Sequence, residues 1–186
     1  MPLSKSVRRK LMHTRVVTCH GYQRDDGLWD IEGHMVDTKP YAFNSIEREG
    51  GFIGANEALH DMWVRLTLDG DYKIHAIEAV TDWAPFTGCP RASAVFQGLV
   101  GVTIGNGWMR LIKELMGGVR GCTHLTELLG PVATTAFQTI MSSKPGFYGD
   151  AAGVLTEPPP YINSCHELHE SGVIVKTLWP QFYKPA

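Results

Sequence analysis

A chain of 186 residues with 44% apolar and 19% charged residues is typical of one globular domain that buries a core. The formal net charge of -2 argues against nucleic acid as a partner, because phosphate binding needs a basic excess. No stretch approaches the roughly twenty apolar residues of a membrane span. The first dozen residues are also too polar for a signal peptide, so we expect a cytoplasmic protein with no membrane partner. We predict a single domain over 1–186, with a flexible tail at 1–12.

The first half of the sequence predicts two β-hairpins. Residues 14–24 are rich in β-branched and aromatic types, and an Asp-Asp-Gly turn separates them from an alternating apolar and polar segment at 28–39. The same pattern returns at 60–83, with an Asp-Gly turn in the middle. The polar, glycine-containing segment 44–58 is predicted to be the loop that joins the two hairpins.

The second half of the sequence has helical spacing. Helices are predicted at 91–101, at 107–118 and from about 123 to 142, where Pro131 should kink or divide the third helix. Near the C-terminus, residues 172–179 read GVIVKTLW and predict one more strand. Because strands come first and helices follow, we predict an α+β fold with a mainly antiparallel sheet of two hairpins followed by three helices.

The start of the third predicted helix concentrates groups that hold charge or transfer protons. The stretch VRGCTHLTELLG has Arg120 before the helix and Cys122 at its start. His124 and Glu127 follow, three residues apart and therefore on one helical face. A helix N-terminus also favours bound anions. An ordinary capped helix start, with Thr123 as the cap, does not explain this combination, so we predict that it forms one wall of an active site.

Two further stretches place reactive groups at the ends of predicted elements. In LHDMW, His60 is a candidate general base and Asp61 could orient it or bind a metal; the alternative is an exposed pair at a strand entry. In TGCP, Cys89 lies at a strand-to-helix turn, where it is either an activated thiol or a small buried apolar residue. Candidate stacking surfaces for a bound substrate are three tryptophans near these motifs: Trp29, Trp63 and Trp83.

Four segments together resemble a bacterial family of unknown function, DUF2889: GLWDIEGHMVDTK, HDMWVRLTLD, GCP and GVRGCTHLTELLGPVATTAFQT. The resemblance begins at about His13 and implies no reaction. More loosely, the order of an acidic hairpin motif, a Gly-Cys turn and a cysteine at a long helix is similar to the NifU- or SufE-like layout of iron-sulfur scaffold proteins. That layout implies that the segments around Asp61, Cys89 and Cys122 converge in space, joined by the two histidines named above.

The chain is also similar to small bacterial lyases that remove a hydroxymethyl group as formaldehyde from lignin-derived diaryl compounds. This resemblance implies a cofactor-independent carbon–carbon lyase that acts on a phenylcoumaran-like aromatic substrate. Retro-aldol cleavage needs a base for the hydroxyl proton, for which His60 and Asp61 are the candidates. It also needs a group that stabilises the departing oxygen, which we assign to Arg120 and His124, with Glu127 on the same helical face.

Two alternatives to the lyase stay open. The first is a metal-dependent enzyme or a metal or cluster carrier, with zinc or iron held by His60, Asp61, Cys89 and Cys122. The second is a non-catalytic binding module. The apolar helices also predict a possible homodimer.

Overall fold

The computed structural model describes residues 3–144 and 155–185 of the chain. The chain divides into two compact units, Met1–Phe137 and Gln138–Ala186. The single domain that the sequence suggests stays a prediction. The fold class is α+β, as predicted, because an antiparallel sheet is followed by helices.

The first unit is built on a four-stranded antiparallel sheet in the order β1-β2-β5-β6. Six strands lie within the described residues: Thr14–Gln23 (β1), Trp29–Thr38 (β2), Phe43–Asn44 (β3), Phe52–Ile53 (β4), Ala58–Leu68 (β5) and Ile74–Trp83 (β6). The two predicted hairpins are therefore confirmed as β1-β2 and β5-β6. The predicted loop between them contains the short β3-β4 ladder.

Strand β2 shows why the sheet has two unlike faces. Its residues alternate strictly between buried and half-buried, as expected when successive side chains point to opposite sides of a strand. We call the buried side the inner face; it includes Ile31, Gly33 and Met35. We call the other side the open face; it includes Glu32 and His34. The inner face therefore forms part of the hydrophobic core.

Two of the three predicted helices are confirmed as α-helices, and the third has a tighter geometry. The α-helices of the described residues are Trp108–Met116 (α1), Thr123–Met141 (α2) and Val173–Leu178 (α3). Cys89–Leu99, predicted as a helix from residue 91, is a 3₁₀-helix. Pro131 lies inside α2 without dividing it. In the part of the chain that the structure describes, no helix is long and apolar enough to cross a membrane.

Helix α2 packs against the inner face at Gly33. A Cβ atom at that position would collide with Val132 and would lie 3.1 Å from Cγ of Leu128. Nearby on β1, the Cys19 thiol is hydrogen-bonded to Thr135 of the same helix, and burial raises the pKa of this thiol. The apolar stripe of α2 is buried along this contact: Leu125, Leu128, Leu129, Val132 and Ala136. The close approach at Gly33 sets how near the start of α2 comes to the sheet.

The second unit corrects one prediction, because residues 173–178 form helix α3 and not a strand. Within α3, Val175 is buried while Val173 is exposed, and Trp179, the residue that follows the helix, is also buried. Trp179 also packs edge-on against Tyr161, with ring centroids 5.3 Å apart. A short apolar run does not by itself distinguish a strand from a helix, so packing decided the structure here.

Candidate active site

Three polar side chains form a row across the inner face of the sheet. Arg15 of β1 is the register partner of Asp37 of β2, and Asp37 is the register partner of His60 of β5. Residues paired in this way project from the same side of an antiparallel sheet. The row therefore follows from the strand register alone.

Asp37 is the centre of the row and has no solvent exposure. The guanidinium of Arg15 donates from Nε to Oδ1 and from Nη2 to Oδ2, each over 2.8 Å. Nδ1 of His60 lies 2.9 Å from Oδ2, and Nε2 of His13 lies 3.0 Å from Oδ1. The third nitrogen of the guanidinium, Nη1, donates to Oε2 of Glu127 over 2.7 Å. One buried carboxylate is thus held by donors from three directions.

These hydrogen bonds fix the charge of Asp37 and the proton position on His60. Burial alone would raise the pKa of Asp37, but the hydrogen bonds from Arg15, His60 and His13 outweigh it and hold that pKa well below its ordinary value. The hydrogen bond to Asp37 raises the pKa of Arg15 in turn. An ionised carboxylate only accepts hydrogen bonds, so Nδ1 of His60 carries the proton. Nε2 of the neutral ring is then left with its lone pair free to act as a base.

His124 completes the site from the first turn of α2. Its ring lies on the ring of His60, with centroids 3.7 Å apart and a tilt of 34°. Sγ of Cys122 lies 4.0 Å from Nδ1 of His124. Burial lowers the pKa of both histidines, so both rings are neutral at pH 7. A neutral imidazole anchored by a buried aspartate is a suitable general base, and its neutral neighbour is a hydrogen-bond donor.

Asp61 does not orient His60, contrary to the sequence-based hypothesis. Neighbouring residues on a strand face opposite ways, so Asp61 lies on the open face while His60 lies on the inner face. There, Oδ1 of Asp61 is 2.7 Å from Nε2 of His34. The ring of His34 stacks on Trp63 with centroids 3.6 Å apart. The two faces of β2 and β5 therefore each carry one aspartate–histidine pair.

The other residues predicted to form the wall of the active site differ in how close they come to His60. Arg120 ends a short 3₁₀ turn and donates to the main-chain carbonyl of Lys113, and not to the site. Glu127 forms an ion pair with Arg15, and its negative charge also acts on His124, where it favours protonation. Cys89 begins the 3₁₀-helix that follows β6. Of the predicted wall, the structure thus brings His124, Glu127 and Cys122 to the His60 region.

The three candidate tryptophans do not line this site. Trp29 is buried on the inner face, but it lies eight positions before Asp37 on β2, which is about 26 Å along a strand. Trp63 lies on the open face beside a cavity of about 270 Å³. Trp83 is the register partner of Asp61, and the guanidinium of Arg48 lies 4.3 Å from its ring centroid. Any aromatic substrate at His60 would need other contacts.

The predicted metal ligands are not gathered in one place. Among the described residues, the group of metal-binding types whose ligand atoms all lie within 4.8 Å of one another is Asp37, His60 and His124. Imidazoles bind zinc through nitrogen at about 2.0–2.1 Å from separate corners of a tetrahedron, whereas these two rings lie over each other with centroids 3.7 Å apart. Both oxygens of Asp37 also already accept two hydrogen bonds each. This arrangement fits proton transfer better than metal binding.

The sequence-based hypothesis missed Asp37, Arg15 and His13. A signal for Asp37 was present, because it occupies the same phase of the β2 alternation as Ile31 and Met35. A charged residue at an inward position of a strand is costly unless it is paired. Arg15 and His13 carry no comparable signal, since neither lies in an amphipathic pattern that marks it.

Comparison with known proteins identifies the family of the chain but no annotated relative. A search of curated proteins and a search of solved structures each found no match. Residues 13–138 match the family described as "Protein of unknown function (DUF2889)". The matched region contains the whole row from Arg15 to His60 and also His124. The chain therefore belongs to the DUF2889 family.

Proposed function

We propose that this protein is a cofactor-independent lyase that uses His60 as a general base and releases formaldehyde from a lignin-derived, phenylcoumaran-like aromatic substrate. The observation that supports the base is the hydrogen bond between Asp37 and Nδ1 of His60, in a place where burial lowers the pKa of His60. The substrate class rests on the resemblance to formaldehyde-releasing lyases.

The proposed reaction needs no oxidant or reductant. Nε2 of His60 removes the proton of the hydroxymethyl group, the carbon–carbon bond to that group breaks, and its carbon leaves as formaldehyde. The released electron pair forms a carbon–carbon double bond and expels the ring oxygen as a phenolate. His124 stabilises this oxygen as a neutral hydrogen-bond donor. The phenolate then takes the proton held by His60, so the enzyme returns to its starting state.

The direct test is the release of formaldehyde by purified protein with a phenylcoumaran substrate and an excess of chelator. Substitution of a general base typically costs about 10² to 10⁴-fold in rate. We therefore expect losses of that size in His60→Ala and His124→Ala. A matched control is His75→Ala, because His75 is also hydrogen-bonded to an aspartate, Asp69, but is exposed on another part of the sheet. Unchanged rates in both site variants would refute the assigned roles.

Elemental analysis distinguishes the lyase from the metal-binding alternative. Protein purified without added metal should contain less than about a tenth of an equivalent of zinc or iron if proton transfer alone performs the reaction. A full equivalent that is lost in His60→Ala would favour a metal protein. Turnover of any substrate would in turn exclude a purely binding module.

A further inference from the structure

Arg15 does more than balance the charge of Asp37, because all three of its nitrogens donate hydrogen bonds in fixed directions. Its guanidinium holds both oxygens of Asp37 in a two-bond fork, each bond 2.8 Å long, while its third donor binds Glu127 on α2. Arg15 is one-third exposed, whereas Asp37 is buried. The arginine therefore connects the edge strand β1, the buried carboxylate and the helix that carries His124.

We propose that Arg15 is a positioning residue that fixes the Asp37 carboxylate and, through it, the tautomer and orientation of His60. This inference rests on the proposed function, because it assigns His60 the role of base. Glu127, which the sequence suggested as catalytic, acts one step further out by holding the guanidinium in place.

Both oxygens of Asp37 are held by Arg15, and this fixes the orientation of the carboxylate. A carboxylate that is held at both oxygens by a planar fork cannot rotate, so Oδ2 stays directed at Nδ1 of His60. A lysine would supply the same charge but only one point of contact, and the carboxylate could then turn. The two-bond fork thus sets the direction of the Asp37–His60 hydrogen bond, which the positive charge of Arg15 could not do by itself.

The groups around His60 give the expected direction of any pH effect. They are Asp37 from β2, Arg15 from β1 and His124 from α2. The positive charge of Arg15 disfavours protonation of His60, while the negative charge of Asp37 favours it. Removal of the arginine should therefore make His60 easier to protonate, and the acid limb of the pH–rate profile should move to higher pH.

The test is ¹⁵N NMR of the histidine rings combined with kinetics on Arg15→Gln and Arg15→Lys. In the unsubstituted protein we expect His60 to show a protonated Nδ1 and a free Nε2. Arg15→Gln should give a mixture of both tautomers, an acid limb at higher pH, and a kcat about 10- to 100-fold lower. Arg15→Lys should show a smaller share of the second tautomer and an intermediate kcat, because it keeps the charge but loses the two-bond fork. If the glutamine variant does not fold, a lysine variant that keeps a single Nδ1–H tautomer would overturn the proposal.

The matched control is Arg65→Gln. Arg65 also bridges two carboxylates across the sheet, Glu32 and Glu78, but it does so on the open face. It should leave the His60 tautomer and the acid limb unchanged. The proposal is overturned if Arg15→Gln keeps a single Nδ1–H tautomer, or if Arg15→Lys matches the unsubstituted protein in kcat. The NMR result needs no substrate, so it stands even if the lyase reaction itself is refuted.

Discussion

At the scale of single residues, the site depends on which way two neighbouring side chains point. His60 and Asp61 are adjacent in the sequence, yet their partners are Asp37 on the inner face and His34 on the open face. Sequence proximity suggested one catalytic pair, whereas the two-residue period of a strand produces two separate pairs. The residue that holds the base was therefore 23 positions away from it.

Asp37→Asn should impair the reaction much more than Asp61→Asn. The amide can donate to Nδ1 of His60 and so permits the tautomer in which Nε2 is protonated and no longer a base. We expect the rate of formaldehyde release to fall about 10² to 10⁴-fold in Asp37→Asn. Asp61→Asn makes the same chemical change on the other face and should stay within about twofold. Equal losses in the two variants would contradict the assignment of Asp37 to the site.

Part of this site was predictable from the sequence and part was not. The concentration of groups at the start of α2 pointed to His124, and LHDMW pointed to His60. The loose resemblance to the iron-sulfur scaffold layout implied that the two histidines would meet, and their rings do lie 3.7 Å apart. The residue pattern alone does not give this meeting, because it depends on the packing of α2 across the sheet. Asp37 could have been found from its inward phase in β2, whereas Arg15 is identified only by the register between β1 and β2.

At the scale of elements, the contact between α2 and β2 determines whether His124 reaches His60. Gly33 lets the helix approach the sheet where any side chain would meet Val132. The sheet supplies Arg15, Asp37 and His60 by register, but His124 depends on this packing. A shift of α2 would therefore move His124 and leave the three strand residues in place.

Gly33→Ala should therefore reduce both stability and activity. An extra methyl group in a well-packed contact typically costs about 1–3 kcal/mol, because the helix must move away. Denaturant unfolding measures this loss, and formaldehyde release at saturating substrate shows whether His124 has shifted. Gly98→Ala is the control, since a Cβ there meets nothing within 4 Å. A fully stable, fully active Gly33→Ala would show that α2 does not need this approach.

Most of the strands and helices were predictable because the sequence patterns that mark them are local. Alternation and tight turns gave β1, β2, β5 and β6, and the apolar stripe gave α2. The prediction failed at residues 172–179, where a β-branched run forms α3, with Val175 buried inside the helix and Trp179 buried directly after it. Local preference is weak enough for such packing to override it.

At the scale of the whole molecule, the buried ionisable groups predict a two-stage loss of stability in acid. Burial lowers the pKa of His60 and His124 below the ordinary 6.5, so the unfolded chain binds more protons just below that pH. Stability should therefore fall as the pH drops through about 6.5. Asp37 has a pKa held below its ordinary 3.8, so its contribution is present above that pH and is lost as the pH falls further.

Urea unfolding at a series of fixed pH values between 7 and 2 covers the first stage and most of the way into the second. In His124→Gln the first stage should become smaller, because one of the two buried neutral imidazoles is gone. His75→Gln removes an exposed histidine and should leave the first stage as it is. A free energy of unfolding that stays constant between pH 7 and pH 5 would contradict the lowered pKa values of the two histidines.

The row formed by Arg15, Asp37 and His60 comes from a different part of the fold than His124. All three belong to neighbouring strands, so the row depends on the pairing of β1, β2 and β5, whereas His124 is brought in by α2. The orientation of the proposed base therefore depends on strand pairing, and the second imidazole depends on α2.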